Sequence, residues 1–345
     1  MSEQAELSTF LVVIADDLTG ALDAVGPFSG GQWDVVVGTG PEMIGAALAT
    51  GAQVVAVSTR SRDMFPDAAK KAVATVLDSV PSGVRLFKKI DSRLKGNIAL
   101  ELDALPKGPL LVVPALPGFK RYQTDGAIHG FGLEQPLAIR DVLGARGPGA
   151  VIPDVRQYTD IRDPVAQAAP DTISVGAREL AEALAQNMGV QPDSAVPRLT
   201  GDIAVAVGSY DPITLNQITE LERCGIATCL APGGMYEHQS MPDGRIVVLR
   251  AVEADTPIPS EVVAAQLARS FGRVAAGRKG LVLTGGATAE AVIDEMGIEL
   301  LYVDGEALPG LPLSHSGDIQ IVTKSGGFGA RDTLVRLFDL GQSEA

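Results

Sequence analysis

Two carboxylates stand side by side in "VVIADDLTGALD", residues 12–23, where a run of apolar residues stops. Asp16 and Asp17 are followed by Thr19, Gly20 and a helix-like stretch that holds a third acid, Asp23. Adjacent negative charges at the mouth of a buried strand are costly, through repulsion and desolvation, unless a cation or a polar ligand meets them. An acid so placed can take a proton from a hydroxyl or orient it. A helix cap accounts for one of the two acids but not for both. The densest charged segment is "KKIDSRLKGN", residues 88–97, in which Lys88, Lys89, Arg93 and Lys95 surround Asp91 and Ser92, and Gly96 and Asn97 lead into a helix. Lysine and arginine recognise a carboxylate, arginine in bidentate fashion, while Ser92 and Asn97 can hold sugar hydroxyls. The plainer reading of this segment is a solvated cationic face with Asp91 as a helix cap. "STRSR", residues 58–62, adds Thr59, Arg60 and Arg62.

The second half of the chain uses glycine instead. "LVLTGGATAEAV" (281–292) runs from an apolar stretch through Gly285 and Gly286 into a helical pattern, and "VTKSGGFGARDTLV" (322–335) does the same through Lys324, Ser325, Gly326, Gly327 and Gly329. "VGSYDPITLNQI" (207–218) places Gly208 and Ser209 in a third such turn. Glycines let backbone N–H groups approach phosphate oxygens, and a helix N-terminus adds positive potential. One such turn needs glycine for its own geometry; three together point to a nucleotide or phosphate site. No segment matches the P-loop G-x-x-x-x-G-K-S/T, the dinucleotide fingerprint G-x-G-x-x-G, the G-x-S-x-G elbow or H-E-x-x-H. His129, His238 and His315 are scattered, and only His129, in an irregular stretch of the first half, is a candidate to line a cleft.

The elements that must position these residues alternate. "FLVVIA" (10–15), "WDVVV" (33–37), "QVVAVS" (53–58), "VRLFKK" (84–89) and "LLVVP" (110–114) are continuous apolar runs of the kind found in parallel strands covered on both faces. "PEMIGAALATG" and "PDAAKKAVATVLDSV" between them have helical spacing and begin with proline, a favoured first-turn residue. From about residue 115 to 170 the pattern dissolves into glycine, proline and charge, and loops and insertions are expected there. A helix follows at about 176–187, then a proline-containing polar linker. A second series places strands at 203–207, 226–231, 245–250, 280–284, 299–303 and 319–323, with helices at about 211–223, 258–276, 286–296 and 330–340. The expected fold class is therefore α/β: two α/β domains with mainly parallel sheets and an active-site cleft between them, residues 1–190 and 202–345, joined by a linker at 191–201. Ligands of such sheets sit beyond the carboxyl ends of the strands, where these loops lie.

Lys plus Arg number 28 and Asp plus Glu 42, a net charge of −14, which argues against nucleic acid or an anionic membrane as partner. A small anion remains compatible, because a local cluster of cations can reverse the potential in one cleft. Cys224 and Cys229 are the two cysteines, too few for a zinc site without a nearby histidine. The N-terminal "MSEQAELSTF" has no basic region or long apolar core, and no apolar stretch reaches a membrane span, so the expected location is cytoplasmic. The surface is compatible with a monomer or a homodimer.

Taken in order, "ADDLTGALD", "STRSR", "KKIDSRLKGN", "GSYDPITLNQI", "LTGGATAEAV" and "TKSGGFG" resemble the motifs of the four-carbon acid sugar kinases, the family of D-threonate, L-threonate, D-erythronate and 3-oxo-tetronate kinases. The resemblance runs from about residue 10 to 340. It implies an N-terminal sugar-acid domain, a C-terminal ATP domain, and phosphoryl transfer to a terminal hydroxyl with ATP and Mg2+. By position, Asp17 with Asp16, Arg60, Lys89, Asp91 and Ser92 fall where the family binds its substrate, with Asp17 the catalytic candidate. Ser209, the turn of Gly285, Gly286, Ala287 and Thr288, and Gly326 fall where it binds ATP. Three departures stand out: Ala287 replaces the acid of "GGET" or "GGDT", Gly327 replaces the asparagine of "KSGNFG", and Arg93 with Lys95 changes "KIDSTLRGN". Arg93 points to a longer, more oxidised or already phosphorylated acid. Ala287 supports a rival reading, a sensor that binds nucleotide and sugar acid without turnover. A dinucleotide oxidoreductase is disfavoured by the missing fingerprint.

Overall fold

The computed structural model describes residues 9–29, 33–191, 196–237 and 243–340. His238 and part of the expected linker lie outside these residues. The chain divides into two compact units, Met1–Asp193 and Ser194–Ala345.

The first unit opens with β1 (Leu11–Ala15), α1 (Leu18–Val25), β2 (Val35–Gly38), α2 (Ile44–Ala49), β3 (Val54–Ser58), α3 (Pro66–Leu77), β4 (Arg85–Lys89), α4 (Ile98–Ala104) and β5 (Leu110–Val113). The apolar runs become strands because both faces are covered: every residue of β1 and of β3 is buried. Each Leu, Ile or Val so buried is worth about 1.5–3 kcal/mol. Helix α3 starts at Pro66 and buries Ala69, Ala72, Val73 and Val76, one stripe at helical spacing.

The stretch expected to be loops holds more structure than its composition suggests. It forms β6 (Arg121–Thr124), β7 (Ala127–Gly130), β8 (Leu137–Ala138), α5 (Ile139–Val142), β9 (Ala150–Val151), α6 (Thr159–Gln167), β10 (Ile173–Gly176) and α7 (Arg178–Asn187). Strands β6, β7 and β8 make a small antiparallel sheet. Its alternation is inverted, since the buried residues of β6 are Arg121 and Gln123. The larger sheet is parallel, in the order β2-β3-β1-β4-β10-β5-β9. In it β10 inserts between β4 and β5, a pairing of distant segments.

The second unit comprises β11 (Ile203–Val207), α8 (Pro212–Arg223), β12 (Ala227–Pro232), β13 (Ile246–Val252), α9 (Ser260–Ala275), β14 (Gly280–Thr284), α10 (Gly286–Glu295), β15 (Leu300–Leu308), β16 (Leu311–Ser316), β17 (Ile319–Lys324) and α11 (Thr333–Leu337). Strands β12-β13-β11-β14-β17 are parallel, and β16 and β15 extend the sheet in antiparallel fashion. The core includes Ile203, Val205 and Val207 from one face of β11, clustered with Val248 of β13, Val282 of β14, Val322 of β17 and Leu221 of α8. No helix of the described residues is long and apolar enough to cross a membrane.

Candidate functional site

In the first unit, β1 pairs with β3 on one side and β4 on the other, with Ala15 opposite Ser58 and Lys89. The loops that leave these three strands are therefore neighbours at their carboxyl ends, and they carry Asp16–Asp17, Arg60–Arg62 and Lys89–Asn97. Asp17 is the N-cap of α1: its backbone is extended and its Oδ1 accepts from the Gly20 N–H at 2.9 Å. The Thr19 hydroxyl donates to its Oδ2, also at 2.9 Å. Asp16 is 1% exposed, and a cap does nothing for it.

Arg62 meets both acids. Its Nε and Nη2 donate to the two oxygens of Asp16 at 2.9 and 2.8 Å, and Nη1 donates to Asp17 Oδ2 at 2.6 Å. Burial pushes the Asp16 carboxyl up, but the Arg62 charge, its hydrogen bonds, and Lys88 and Lys89 outweigh that and hold it below the usual range. Burial acts to lower the Arg62 guanidinium, and Asp17 and Asp16 more than reverse it. Arg62 belongs to the same loop as Arg60, the residue that the resemblance places at the substrate. Arg60 adopts a left-handed backbone, φ 52°, and sends its Nε to the Thr39 carbonyl at 2.7 Å.

The lysine pair divides. Lys88 is fully buried and pairs with Glu101 of α4 at 3.0 Å, and Glu101 also accepts from the Ser61 hydroxyl. Lys89 lies at the strand end, its Nζ donating to the Ile90 carbonyl at 3.1 Å and standing 3.0 Å from where a Gly20 methyl would be. Gly20 thus keeps α1 open to this ammonium.

Asp91 is not a helix cap. Its Oδ1 accepts from the backbone N–H of Arg93 at 2.9 Å and closes the loop on itself. The N-cap of α4 is Asn97, whose amide instead donates to the Ser61 and Met64 carbonyls, each at 2.9 Å, and fixes the Arg62 loop. Ser92 Oγ accepts from Arg121 Nη1 at 2.5 Å, a contact from β6 that the sequence did not signal. Arg93 is exposed beside it. His129 bonds Thr124 within the β6–β7 hairpin.

In the second unit, the glycine turns leave β11, β14 and β17, and they are neighbours because β14 pairs with the other two strands. Gly285 is the N-cap of α10 with φ 95°, a conformation that disfavours a side chain. A methyl group on Gly208 would collide with the Thr288 hydroxyl, and one on Gly326 with Ser209 Oγ. Ser209, Gly326, Gly285 and Thr288 therefore share one patch, with Gly286 and Ala287 opening the first turn of α10. A pocket of about 560 Å³ adjoins it, bounded by Gly208, Ala287, Thr288, the loop 252–258 and Val263 and Ala264 of α9. That volume and its mixed lining suit a small organic ligand such as a nucleoside.

The loop after β17 is held from inside. Lys324 is 1% exposed, and its ammonium donates to the carbonyls of Ser325, Gly326 and Phe328 and to Thr214 Oγ1. Burial lowers its pKa to about 8, against a smaller opposing effect of Asp211. Thr214 and Gln217 of α8 bind the same loop through the carbonyls of Gly326, Phe328 and Ala330. Among the described residues no group of three or more His, Cys, Asp or Glu could hold a metal ion. Asp211 caps α8 through Oδ1, and its Oδ2 lies 3.0 Å from where a Gly327 methyl would be. One carboxylate beside a phosphate-type loop fits a magnesium ion that arrives on phosphate oxygens, and does not fit a metal caged by protein alone.

Residues 11–197 match the sugar-binding N-terminal domain family, and residues 235–334 match the nucleotide-binding C-terminal domain family. The chain is 29% identical to the D-threonate kinase of Cupriavidus necator, over 94% of this chain and 96% of that one. It is 24% identical to the 3-oxo-tetronate kinase of Methylobacterium radiotolerans, over 97% of this chain and 100% of that one. Among solved structures, a putative tRNA synthase from Salmonella typhimurium superposes with a TM-score of 0.74 at 17% identity, covering 96% of this chain and 98% of that one. A Haemophilus influenzae protein gives 0.69 at 18% identity, over 95% and 99% of the two chains. At such identities the two structures speak to fold alone.

Proposed function

The chain belongs to the four-carbon acid sugar kinase family, and on that premise we propose that it transfers the γ-phosphoryl group of ATP to a terminal hydroxyl of a four-carbon sugar acid. The observation that carries this reading is the Asp16–Arg62–Asp17 clamp at the carboxyl end of β1. A carboxylate has about four acceptor positions. On Asp17, Oδ1 receives Gly20 N–H, and Oδ2 receives Thr19 and Arg62, which leaves one position on Oδ1 for a substrate hydroxyl. Asp16 has open positions too, but it is 1% exposed against 9% for Asp17. Asp17 is therefore the acid that faces the hydroxyl, and Asp16 anchors the arginine that holds it.

Phosphoryl transfer asks mainly for positioning and charge neutralisation. Asp17 accepts the hydroxyl proton, and Lys89 offsets the charge gathered at the N-terminus of α1. The nucleotide is assigned to the 560 Å³ pocket, with its phosphates on the turns of Gly285–Thr288 and Gly326. Asp211, whose Oδ2 stands beside this loop, would hold a magnesium ion brought in on those phosphates, and the ion would neutralise their charge. Cys224 and Cys229 are free thiols, in keeping with a cytoplasmic enzyme.

The test is ADP release from ATP and magnesium over D-threonate, L-threonate, D-erythronate and 3-oxo-tetronate. One acid is turned over, and Asp17→Asn lowers kcat by about 10²–10⁴. A second reading rests on Ala287, an exposed residue in the pocket lining where the resemblance expects an acid. Ligand-induced stabilisation by both ATP and an acid, without ADP release from any of them, would select this sensor over the kinase.

A further inference from the structure

Arg121, the first residue of β6, is 8% exposed and takes no part in the chemistry above. Its Nε and Nη2 donate to the Phe131 carbonyl at 3.0 and 2.8 Å, and its Nη1 to Ser92 Oγ. A guanidinium has five N–H donors, so one on Nη1 and one on Nη2 are left over. No carboxylate among the described residues forms an ion pair with it; the charges that act on it are Arg93 and, with a smaller effect, Asp91. Burial and the Arg93 charge together hold the Arg121 guanidinium below the ordinary arginine range. The two arginines flank one glycine: a methyl group on Gly132 would stand 3.0 Å from Arg121 Nη2 and 3.6 Å from Arg93 Cδ. Asp91 offers Arg93 only a 4.0 Å contact, and the same oxygen already serves the Arg93 N–H. A buried cation beside a second cation is costly unless an anion joins them.

The clamp around Arg62 has the opposite character. Two carboxylates share one guanidinium, so it suits hydroxyls and repels a carboxylate. The acid group of the substrate needs another seat. Ser92, which Arg121 touches, lies in the loop after β4, next to the loop that carries Asp17. We propose that Arg121, with Arg93 beside it, holds the carboxylate of the sugar acid, so that the β6–β7 hairpin decides that the substrate is an acid. This rests on the sugar-acid kinase reading and names its specificity residues.

The test measures binding without turnover. Calorimetry compares whichever of D-threonate, L-threonate, D-erythronate and 3-oxo-tetronate binds most tightly with its amide, which keeps the hydroxyls and loses the charge. In the wild type the amide binds at least about tenfold more weakly, the size of one charge-assisted contact. Arg121→Gln closes that gap to within about threefold, and Arg93→Thr narrows it by about two- to fivefold. In turnover both variants raise KM far more than they lower kcat. If Arg121 serves only to tie the hairpin to Phe131, acid and amide weaken together, the gap stays, and the proposal falls while the kinase reading stands. If ATP binds but none of the four acids does, the kinase reading fails and takes this with it. Should Arg121→Gln not fold, Arg93→Thr and the charge reversal Arg93→Glu carry the same comparison, and an unchanged gap in both overturns the proposal.

Discussion

Arg62 decides whether Asp16 can remain charged inside the protein. Replaced by methionine, it leaves Asp16 buried with only Lys88 and Lys89 in its field, and desolvation then dominates. In the wild type the Asp16 carboxyl lies below its ordinary value of 3.8, so its contribution to stability is present above that value and is lost as pH falls through the lower folded one. In Arg62→Met the sign reverses. The carboxyl moves above 3.8, the folded state is penalised at neutral pH, and protonation relieves the penalty as pH falls. The variant should be less stable by roughly 3 kcal/mol at neutral pH, with the deficit shrinking toward about pH 4. Urea unfolding of both proteins across that range checks it, and a deficit independent of pH would show that Arg62 acts only through packing. The acids were legible in the sequence because two carboxylates at a strand end need an explanation. Which cation answered them was not, since Arg60 and Arg62 are chemically alike and two residues apart. Only the left-handed backbone at Arg60 turns one toward Thr39 and leaves the other for the acids.

Among the elements, the loop after β17 shows how a lysine in a glycine-rich turn can serve the turn itself. Lys324 spends its ammonium on three carbonyls of its own loop and on Thr214, so it shapes the backbone that would meet phosphate. With a pKa of about 8 it is half neutral near that pH. A nucleotide's phosphates nearby would raise it, so ATP binding at about pH 8 should take up as much as about half a proton, and almost none at about pH 6. Calorimetry in two buffers of different ionisation enthalpy reads that number, and equal uptake at both pH values would assign the proton to another group. The alternating apolar runs were legible as strands because fully covered parallel strands need little but valine, isoleucine and leucine. Strand β10 escaped notice because four residues, interrupted by Ser174, are stabilised by distant partners in β4 and β5. The β6–β7 hairpin escaped because the inward residues of β6, Arg121 and Gln123, are polar and β7 buries only Ile128, and polarity in sequence reads as loop.

Across the whole molecule the two units repeat one topology without a visible repeat in sequence. The first four strands of the first unit are ordered β2-β3-β1-β4, and those of the second β12-β13-β11-β14. In each, the first strand lies between the third and the fourth, and the loops after those three carry candidate site residues, joined in the second unit by the loop after β17. What differs is the chemistry placed on a shared frame: acids and cations in one unit, glycines and a pocket in the other. Each unit also carries its own buried core, β1 and β3 in the first and the cluster around β11 in the second, so a lesion at one site should leave the other's ligand in place. Gly208→Ala drives a methyl group into the Thr288 hydroxyl. It should therefore weaken or abolish the rise in melting temperature caused by ATP while keeping the rise caused by the sugar acid. Asp17→Asn should do the reverse, retaining the ATP response while turnover falls. Thermal unfolding of the three proteins with each ligand separately gives the crossed pattern if the two sites bind independently. Loss of both responses in either variant would mean that binding at one unit depends on the other, and the division of labour argued from the two frames would then fail.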